Sequence, residues 1–593
     1  GQLIPGFVPG SPPEANGLGG RRIYYDRTST SLSAFNVDST TATTLMPDFD
    51  VTTSAEAAEL IAFTRGLDVD DLDGDGETDD AREWIFGDAL HSRPLPINYG
   101  KANGHSDPAN PAIYIAVASN DGHLRMIRNT SSSGLQSGQE AWSFVPRRTL
   151  EAQKTLRANG VGMKHPYTID GAPVAFIQDR NRDGTISAAD GDRVYLYVGM
   201  RRGGKAYFAF DVTNPESPDL MWTIDDSGDF GELGYTFSTP RVGLVETASG
   251  PTPAIMFAGG YDMNKDTRGS VGSDDTAGNA IYVVNAETGA LIWKARGGGG
   301  GAGTTVFEHP DMVDSIPSTL STGDTDGDGM TDRIYVGDTG GRVWRVDMKG
   351  KDTSFWKATV LANLGRHSAS STGIETDRRF FHRPDIVQSQ DDDGLYDAVI
   401  IGSGNRPNPL DSGGLTADFL YMIKDRRTIP GGGVDENLDH GDFGDVTDNC
   451  LQAGTCSIDL ANGWRLGLEE LGEKALSTPL TINGKIFFTT YLPKADTGAT
   501  ACSPSEGGGR LYAVGLQDGR AVLNYNTADD TTDNPDEATT RADRSVELQS
   551  LGIPAEVVSI PPNKILRPDL QVDDVNVATR WRTFWYLQED EDM

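Results

Sequence analysis

The chain has 593 residues, of which 37% are hydrophobic, 71 are glycine and 31 are proline. This balance excludes a protein built mainly from long helices and indicates many short strands joined by turns. The formal net charge of −36 argues against nucleic acid or an anionic membrane as a partner, and such a surface attracts divalent cations instead. The sequence contains no run of about 18 apolar residues, so we expect no membrane insertion.

The first residues of the chain, GQLIPG, include neither an initiator Met nor a signal peptide. We therefore expect a mature or excised C-terminal portion of a larger protein. Residues 22–36 predict a strand, a turn and a second strand. Residues 54–65 predict a helix because apolar side chains recur at helical spacing, with Ser54 as its cap and Gly66 at its end.

A unit of strand, turn and strand recurs along the rest of the chain. Each unit has an apolar strand that ends in Gly or another small residue, then a polar turn, then a second strand with aromatic residues. Six such units begin near residues 113, 194, 254, 333, 397 and 485. Hairpins repeated in this way are typical of β-propeller blades. A stack of β-sandwiches is the alternative, and it explains the repeated strand order less well.

We therefore predict an all-β protein, a β-propeller of seven modified blades with long loop insertions and a few short helices. Six or eight blades are the alternatives. Residues 81–593 would form the propeller, and residues 1–80 a segment of strand, helix and linker that contributes to ring closure. The N-terminal strands and a C-terminal strand at residues 580–588 would share the seventh blade, because joining the chain ends in one sheet removes exposed edges. Residues 151–157 predict a short helix.

The three cysteines do not form a disulfide scaffold. Cys450 and Cys456 lie close together in a loop and are candidates for one local bridge. A Cys456–Cys502 pairing and three free thiols are the alternatives. The spacing matches no zinc signature, because no second CxxC or nearby His cluster accompanies it.

Residues 323–338 read GDTDGDGMTDRIYVGD, an acidic loop that leads directly into a strand. Calcium takes about six to eight oxygen ligands, and short Asp side chains on a turning loop supply them. Gly329 stands where the EF-hand loop needs its glycine, whereas Tyr335 stands where that loop has its last acidic residue. The expected ligands are Asp324, Asp326, Asp328, the Met330 carbonyl, and Asp332 as the replacement for the missing acid.

Two further loops follow the same pattern. The loop at residues 71–79 offers Asp71, Asp73, Asp75, the Glu77 carbonyl and Asp79. The loop at residues 179–190 offers Asp179, Asn181, Asp183, the Thr185 carbonyl and Asp190, with Asp in place of the bidentate Glu. Residues 389–397 resemble a depleted copy that begins with Ser389. A solvated acidic turn is the alternative reading, and it would not require a glycine at the sixth position.

No catalytic motif accompanies these loops. The eight His are scattered, and the sequence has neither HExxH nor GxSxG. Residues 280–293 also resemble blades of pyrroloquinoline-quinone dehydrogenases, but the adjacent Cys pair common in those enzymes is absent. We predict no enzymatic activity. A quinoprotein-like propeller enzyme and a purely structural, calcium-independent scaffold are the alternatives.

Several stretches resemble the C-terminal propeller of type IV pilus tip-associated proteins of the PilY/PilC kind. These stretches are WIFGD at 84–88, HSRP at 91–94, SNDG at 119–122, YTIDGAPV at 167–174, YTFSTPRVG at 235–243, GGYDMN at 259–264 and the segment 315–347. The resemblance covers roughly residues 80–525, and it places the 324–332 loop where the family carries its calcium site.

The resemblance implies a protein exported through the periplasm and outer membrane to the tip of a type IV pilus on the cell surface. It implies action with minor pilins in pilus biogenesis, in extension against retraction, and hence in twitching motility. It also implies adhesion to host or abiotic surfaces. Ca²⁺ is the expected cofactor, and by this resemblance the 324–332 loop would be the regulatory site.

Overall fold

The computed structural model describes residues 21–575, with gaps. The gaps are residues 79, 83, 133–136, 267–268, 302, 412–413, 432, 449, 452–453, 495–506, 527–538, 551 and 562. The chain divides into two compact units. The first contains residues up to 369, 379–383 and 428–438, and the second contains residues 370–378, 384–427 and those from 439 onward.

The first sheet of the first unit combines the N-terminal hairpin with the first predicted repeat. Its strands are β1 (Ile23–Thr28), β2 (Ser31–Ala34), β3 (Leu95–Asn98), β4 (Ile113–Ala118), β5 (Leu124–Arg128) and β6 (Glu140–Phe144), in the order β2-β1-β6-β5-β4-β3. Strand β1 pairs in parallel with β6, so that Ile23 lies opposite Ser143. The N-terminal strands therefore extend this sheet, which corrects their assignment to a separate seventh blade. The predicted partner at residues 580–588 lies outside the described residues, and ring closure through the chain ends stays a prediction.

Three α-helices accompany this sheet. They are α1 (Ser39–Phe49), α2 (Ser54–Arg65) and α3 (Ala152–Ala158). Helices α2 and α3 confirm the predictions, but the cap of α2 is Thr53 rather than Ser54, because the Thr53 hydroxyl accepts from the Glu56 amide at 3.2 Å. Gly66 ends α2 with a φ of 103°. Short 3-10 helices occur at Arg147–Thr149, Ala188–Asp190, Arg201–Gly203, Gly228–Phe230, Met263–Asp266, Thr353–Phe355, Ile374–Thr376, His440–Asp442 and Arg541–Arg544.

Three more sheets complete the first unit, and their strands follow one another in chain order. The second sheet has β7 (Val174–Gln178), β8 (Arg193–Gly199), β9 (Ala206–Asp211) and β10 (Asp219–Asp225). The third has β11 (Arg241–Thr247), β12 (Gly250–Ala258), β13 (Ala280–Asn285), β14 (Leu291–Gly297) and β15 (Val306–His309). The fourth has β16 (Ser321–Gly323), β17 (Arg333–Gly337), β18 (Arg342–Asp347) and β19 (Lys357–Asn363). The predicted repeats near residues 113, 194, 254 and 333 fall on β4, β8, β12 and β17.

The second unit contains the last two repeats. Its larger sheets use β20 (Asp385–Asp391), β21 (Gly394–Gly402), β22 (Phe419–Asp425), β24 (Gly444–Asp445) and β25 (Gly463–Gly467), then β26 (Lys474–Ala475), β27 (Leu480–Ile482), β28 (Lys485–Leu492), β29 (Gly508–Gly515) and β30 (Ser545–Leu548). The short strand β23 (Leu438–Asp439) begins at the last residue of the first unit and precedes β24 in the chain. A three-stranded sheet has β31 (Val558–Ile560), β32 (Lys564–Leu566) and β33 (Val572–Asp574). Cys450 and Cys456 form the predicted disulfide, and Cys502 lies outside the described residues.

Buried tryptophans connect neighbouring sheets within each unit. The indole N–H of Trp142 in the first sheet donates to the Pro215 carbonyl after β9 at 2.9 Å, and that of Trp222 in the second sheet donates to Ala286 after β13 at 3.1 Å. In the second unit, Trp464 donates in the same way to Leu516 after β29 at 2.9 Å. Each bond satisfies a buried donor, and the ring fills the space between two sheets. Among the described residues, no helix is long and apolar enough to span a membrane.

Candidate metal centres

The loop between β16 and β17 is wound around the carboxylate of Asp324. The amides of Gly327 and Gly329 donate to its two oxygens at 2.7 and 2.9 Å. Asp326 and Asp328 accept from the amides two residues further on, at 3.2 and 2.8 Å. The two glycines adopt φ values of 81° and 87°, the left-handed region in which glycine has no steric cost. The pattern of alternating Asp and Gly therefore specifies this turn directly.

This loop brings three predicted ligands together. One carboxylate oxygen from each of Asp324, Asp326 and Asp332 lies within 4.8 Å of the others. Oxygens at that separation can all reach one calcium ion, whose bonds to oxygen are about 2.4 Å long. Asp328 and Met330 lie outside this group, but they line a cavity of about 220 Å³ together with Asp326 and Asp332.

Asp332 is half-buried, and its charge is only partly compensated. Burial raises the pKa of its carboxyl group, and the nearby charge of Asp326 adds to this, while hydrogen bonds from Thr325 oppose it. The Thr325 amide and hydroxyl donate to Asp332 at 3.0 and 2.5 Å. A divalent cation in the loop would remove the remaining cost of ionising this group.

The same loop connects two sheets of the first unit. The Thr331 amide donates to the Leu244 carbonyl of β11 at 2.7 Å, and the Met348 amide donates to the Asp332 carbonyl at 2.8 Å. Glu246 of β11 lines the cavity beside the loop. An ion held here would therefore stabilise the contact between the third and fourth sheets as well as the turn itself.

The loop at residues 71–79, called the first acidic loop from here on, repeats this geometry after α2. Its first carboxylate, on Asp71, accepts from the Gly76 amide at 3.1 Å, and Asp73 accepts from the Asp75 amide at 3.2 Å. The Glu77 amide donates to Asp75 at 2.8 Å. The carboxylates of Asp71, Asp73 and Asp75 form a second group within 4.8 Å. Asp79 lies outside the described residues, so its predicted role as a ligand stays a prediction.

The loop at residues 179–190 has the same hydrogen bonds without the same gathering of carboxylates. Asp179 accepts from Gly184, Asn181 from Asp183, and Asp183 from Thr185, at 2.8, 3.0 and 2.8 Å. Within the described chain, the predicted carboxylate ligands of this loop do not form a group comparable to the other two.

Asp190 and Asp192 lie two residues apart in this third loop but have different surroundings. Asp190 ends an exposed 3-10 helix. The buried Asp192, which the sequence analysis missed, accepts from the Arg180 and Ser187 amides at 2.8 and 2.9 Å, and these bonds lower its pKa. The alternating pattern of the loop ends before residue 192, so no sequence signal marked this side chain.

The stretch at residues 389–397 is not a loop of this kind. It forms a tight hairpin in which Asp391 lies opposite Gly394. Asp391 accepts from Lys424 and Arg426, both at 2.8 Å, so its charge is already paired. The prediction that residues 389–397 form a depleted copy of the acidic loop is therefore wrong.

We expect Gly329→Ala to weaken calcium binding at the 324–332 loop, called the second acidic loop from here on, about fivefold. A Cβ at Gly329 would meet nothing within 4 Å, so only the left-handed backbone opposes the substitution, at a cost of about 1 kcal/mol. Gly484→Ala is the matched control, because Gly484 has a φ of 74°, equally open surroundings and no acidic loop. Calcium titrations that give the same affinity for both variants would contradict the expectation.

Repeated antiparallel sheets with EF-hand-like acidic loops define the class of protein: a propeller-type β-protein with candidate cation loops. Residues 96–388 match the family model described as the PilY1 beta-propeller domain. Over this span the chain is similar to the PilY1 β-propeller family, which confirms the resemblance seen in the sequence.

Individual relatives agree with this assignment. The type IV pilus biogenesis factor PilY1 of Pseudomonas aeruginosa strain UCBPP-PA14 is 26% identical over 547 residues, which cover 79% of this chain and 43% of the relative. A PilY1 homolog of Xylella fastidiosa is 27% identical over 478 residues, covering 74% and 30% respectively. The chain thus spans less than half the length of these relatives. The crystal structure of the P. aeruginosa PilY1 C-terminal domain superposes with a TM-score of 0.52 at 20% identity, covering 78% of this chain and 93% of that one, and supports the β-propeller fold.

Proposed function

We propose that this chain is the calcium-binding part of a type IV pilus protein that acts in pilus biogenesis. Its role would be to set extension against retraction, and hence twitching motility and surface adhesion. One observation carries the proposal. The 324–332 loop lies inside the span that matches the PilY1 β-propeller, and three of its carboxylates lie close enough together to bind one cation. The relatives are named as type IV pilus biogenesis factors, and this supports a role in a type IV pilus system.

The proposed location is the cell surface, at the pilus tip, after export through the periplasm and outer membrane. Minor pilins are the proposed partners, and host or abiotic surfaces the proposed targets of adhesion. The net charge of −36 supports a role that excludes nucleic acid and anionic lipid. The proposed activity is binding and regulation rather than catalysis, in keeping with relatives named as biogenesis factors.

Calcium is the proposed ion because the donor set consists of hard oxygen ligands on tight acidic turns, without His or Cys. In the second loop the proposed ligands are Asp324, Asp326, Asp328, the Met330 carbonyl and Asp332. The first loop would use Asp71, Asp73, Asp75, the Glu77 carbonyl and Asp79. The third would use Asp179, Asn181, Asp183, the Thr185 carbonyl and Asp190, and its dispersed carboxylates support weaker binding there.

Replacement of the native gene by an Asp324→Ala variant tests this function. We expect fewer surface pili and reduced twitching, with the protein still exported at its normal level. Asp392→Asn is the control, because Asp392 is an exposed carboxylate in the 389–397 hairpin. Unchanged piliation and twitching in the Asp324→Ala strain would favour a calcium-independent scaffold and refute the proposal.

A further inference from the structure

The first acidic loop is closed at its base by a short antiparallel neck. Leu67 bridges Ala81, and the Asp68 amide donates to the Asp80 carbonyl at 3.0 Å. The Arg82 amide donates to the Gly66 carbonyl at 2.9 Å. The backbone on both sides of the loop is therefore held together, and residues 68 and 80 face each other across the neck.

The side chains at these two positions are buried carboxylates. Asp68 is 3% exposed and Asp80 is 1% exposed. Leu72 donates its amide to Oδ2 of Asp68 at 2.8 Å, but Oδ1 of Asp68 and Oδ1 of Asp80 have no hydrogen-bond partner among the described residues. A buried carboxylate oxygen without a partner is costly, so each such atom requires an explanation.

Several carboxylates lie near Asp80, namely those of Asp73 and Asp75 in the loop and that of Asp68 across the neck. The Arg82 guanidinium is the positive charge that acts on Asp68. Within the described part of the chain, neither Asp68 nor Asp80 forms an ion pair with Lys, Arg or His. A bound cation would stabilise buried carboxylate oxygens that have no hydrogen-bond partner and lie beside other carboxylates.

We propose that Asp80, with Asp68 beside it, supplies carboxylate oxygen to the cation site of the first acidic loop. The inference rests on the proposed calcium function and adds to that site two ligands which the loop spacing does not predict. A cation there would satisfy the partnerless oxygens and neutralise the carboxylates gathered around them. It would also hold the neck closed between α2 and the first sheet.

The second loop has no carboxylate at the position that corresponds to Asp80. At its tenth position, where the first loop has Asp80, it has Arg333, which is 1% exposed and pairs with Asp347 at 2.7 Å. The first loop therefore carries more negative charge. Because ligand charge count helps to set calcium affinity, we expect the first loop to bind calcium more tightly than the second.

Calcium titration in an Asp324→Ala background tests the inference, because that substitution removes binding at the second loop and leaves the first loop as the tightest of the remaining proposed sites. Asp80→Asn is expected to weaken the remaining binding about tenfold or more. Without calcium the same variant should unfold at an equal or higher temperature than its parent, because it removes a buried charge from a group of like charges. Added calcium should then raise its unfolding temperature less than that of the parent.

Asp70→Asn is the matched control. Asp70 is also close to the loop, but it pairs with Arg157 on the surface at 2.8 Å, so its neutralisation should leave calcium affinity unchanged. If Asp80→Asn lowers the unfolding temperature equally with and without calcium, Asp80 has only a structural role and the inference is wrong. Unchanged affinity in Asp80→Asn also overturns it. If the Asp324→Ala parent binds no calcium at all, the proposed calcium binding of the first loop is wrong. That result differs from the results that would overturn only the ligand role of Asp80.

Discussion

Replacement of Asp324 by alanine is expected to abolish calcium binding at the second acidic loop, with affinity falling about 100-fold or more. The Asp324 carboxylate is one of three grouped within 4.8 Å, and it also accepts the two amides that fix the turn. The substitution therefore removes a ligand and at the same time loosens the backbone that positions the others.

Isothermal calorimetry of the wild type and the variant measures this effect. The variant should bind one calcium ion fewer, while Asp392→Asn retains the wild-type stoichiometry. Thermal unfolding in a chelator should be the same for all three proteins, because Asp324 is exposed and has no partner outside its own loop in the described chain. Unchanged calorimetry would show that the ion does not bind at this loop. Loss of the fold together with loss of calcium binding would show that the ion stabilises the fold rather than regulating function.

Local patterns in the sequence were sufficient to predict the elements whose structure depends on residues close in the chain. Alternating and continuous apolar runs placed an interior strand of every large sheet, as at Ile113–Ala118 and Arg333–Gly337. The helix Ser54–Arg65 was predicted apart from its cap, because its apolar spacing and the glycine that follows it are signals carried by residues close in the chain. The acidic loop at 324–332 was also predictable, since its ladder of hydrogen bonds runs between residues two to five apart.

Long-range contacts were not predictable in the same way. The parallel pairing of Ile23–Thr28 with Glu140–Phe144 joins segments more than 100 residues apart, and no local pattern specifies it. Helix α1, Ser39–Phe49, is rich in threonine and contains Pro47, so its propensity is poor. It forms because Leu45 and Phe49 are buried in one apolar cluster with α2. The buried Asp80 was missed for the same reason, because the sequence gives its position in the loop but not its burial.

A buried charge cluster in the first unit gives the largest expected effect on stability. Asp314 is fully buried and accepts hydrogen bonds from Lys265, Arg366 and His367 at 2.7, 2.7 and 2.6 Å. Asp314→Ala would leave the buried ammonium of Lys265 without its closest carboxylate. We expect a loss of about 3 to 5 kcal/mol in the free energy of unfolding, because an uncompensated buried charge is more costly than the pair is stabilising.

Denaturant unfolding at neutral pH measures this loss, and Asp274→Ala is its control. Asp274 shares Arg366 with Asp314 at 2.6 Å, but its side chain is 65% exposed. An exposed ion pair contributes about 1 kcal/mol or less, so the control should be nearly neutral. Similar losses in both variants would contradict the assignment of the stabilisation to the buried carboxylate.

The pH dependence distinguishes lost charge pairing from a lost side chain. Burial alone would raise the pKa of Asp314, but His367, Lys265 and Arg366 together hold it well below its usual range. A carboxyl group with a depressed pKa stabilises the fold above its unfolded pKa, and this contribution disappears as the pH falls through the folded pKa. The deficit of Asp314→Ala should therefore shrink by about 1 kcal/mol between neutral pH and about pH 3. A deficit that is constant over this range would mean that the cavity left by the side chain, and not its charge, causes the loss.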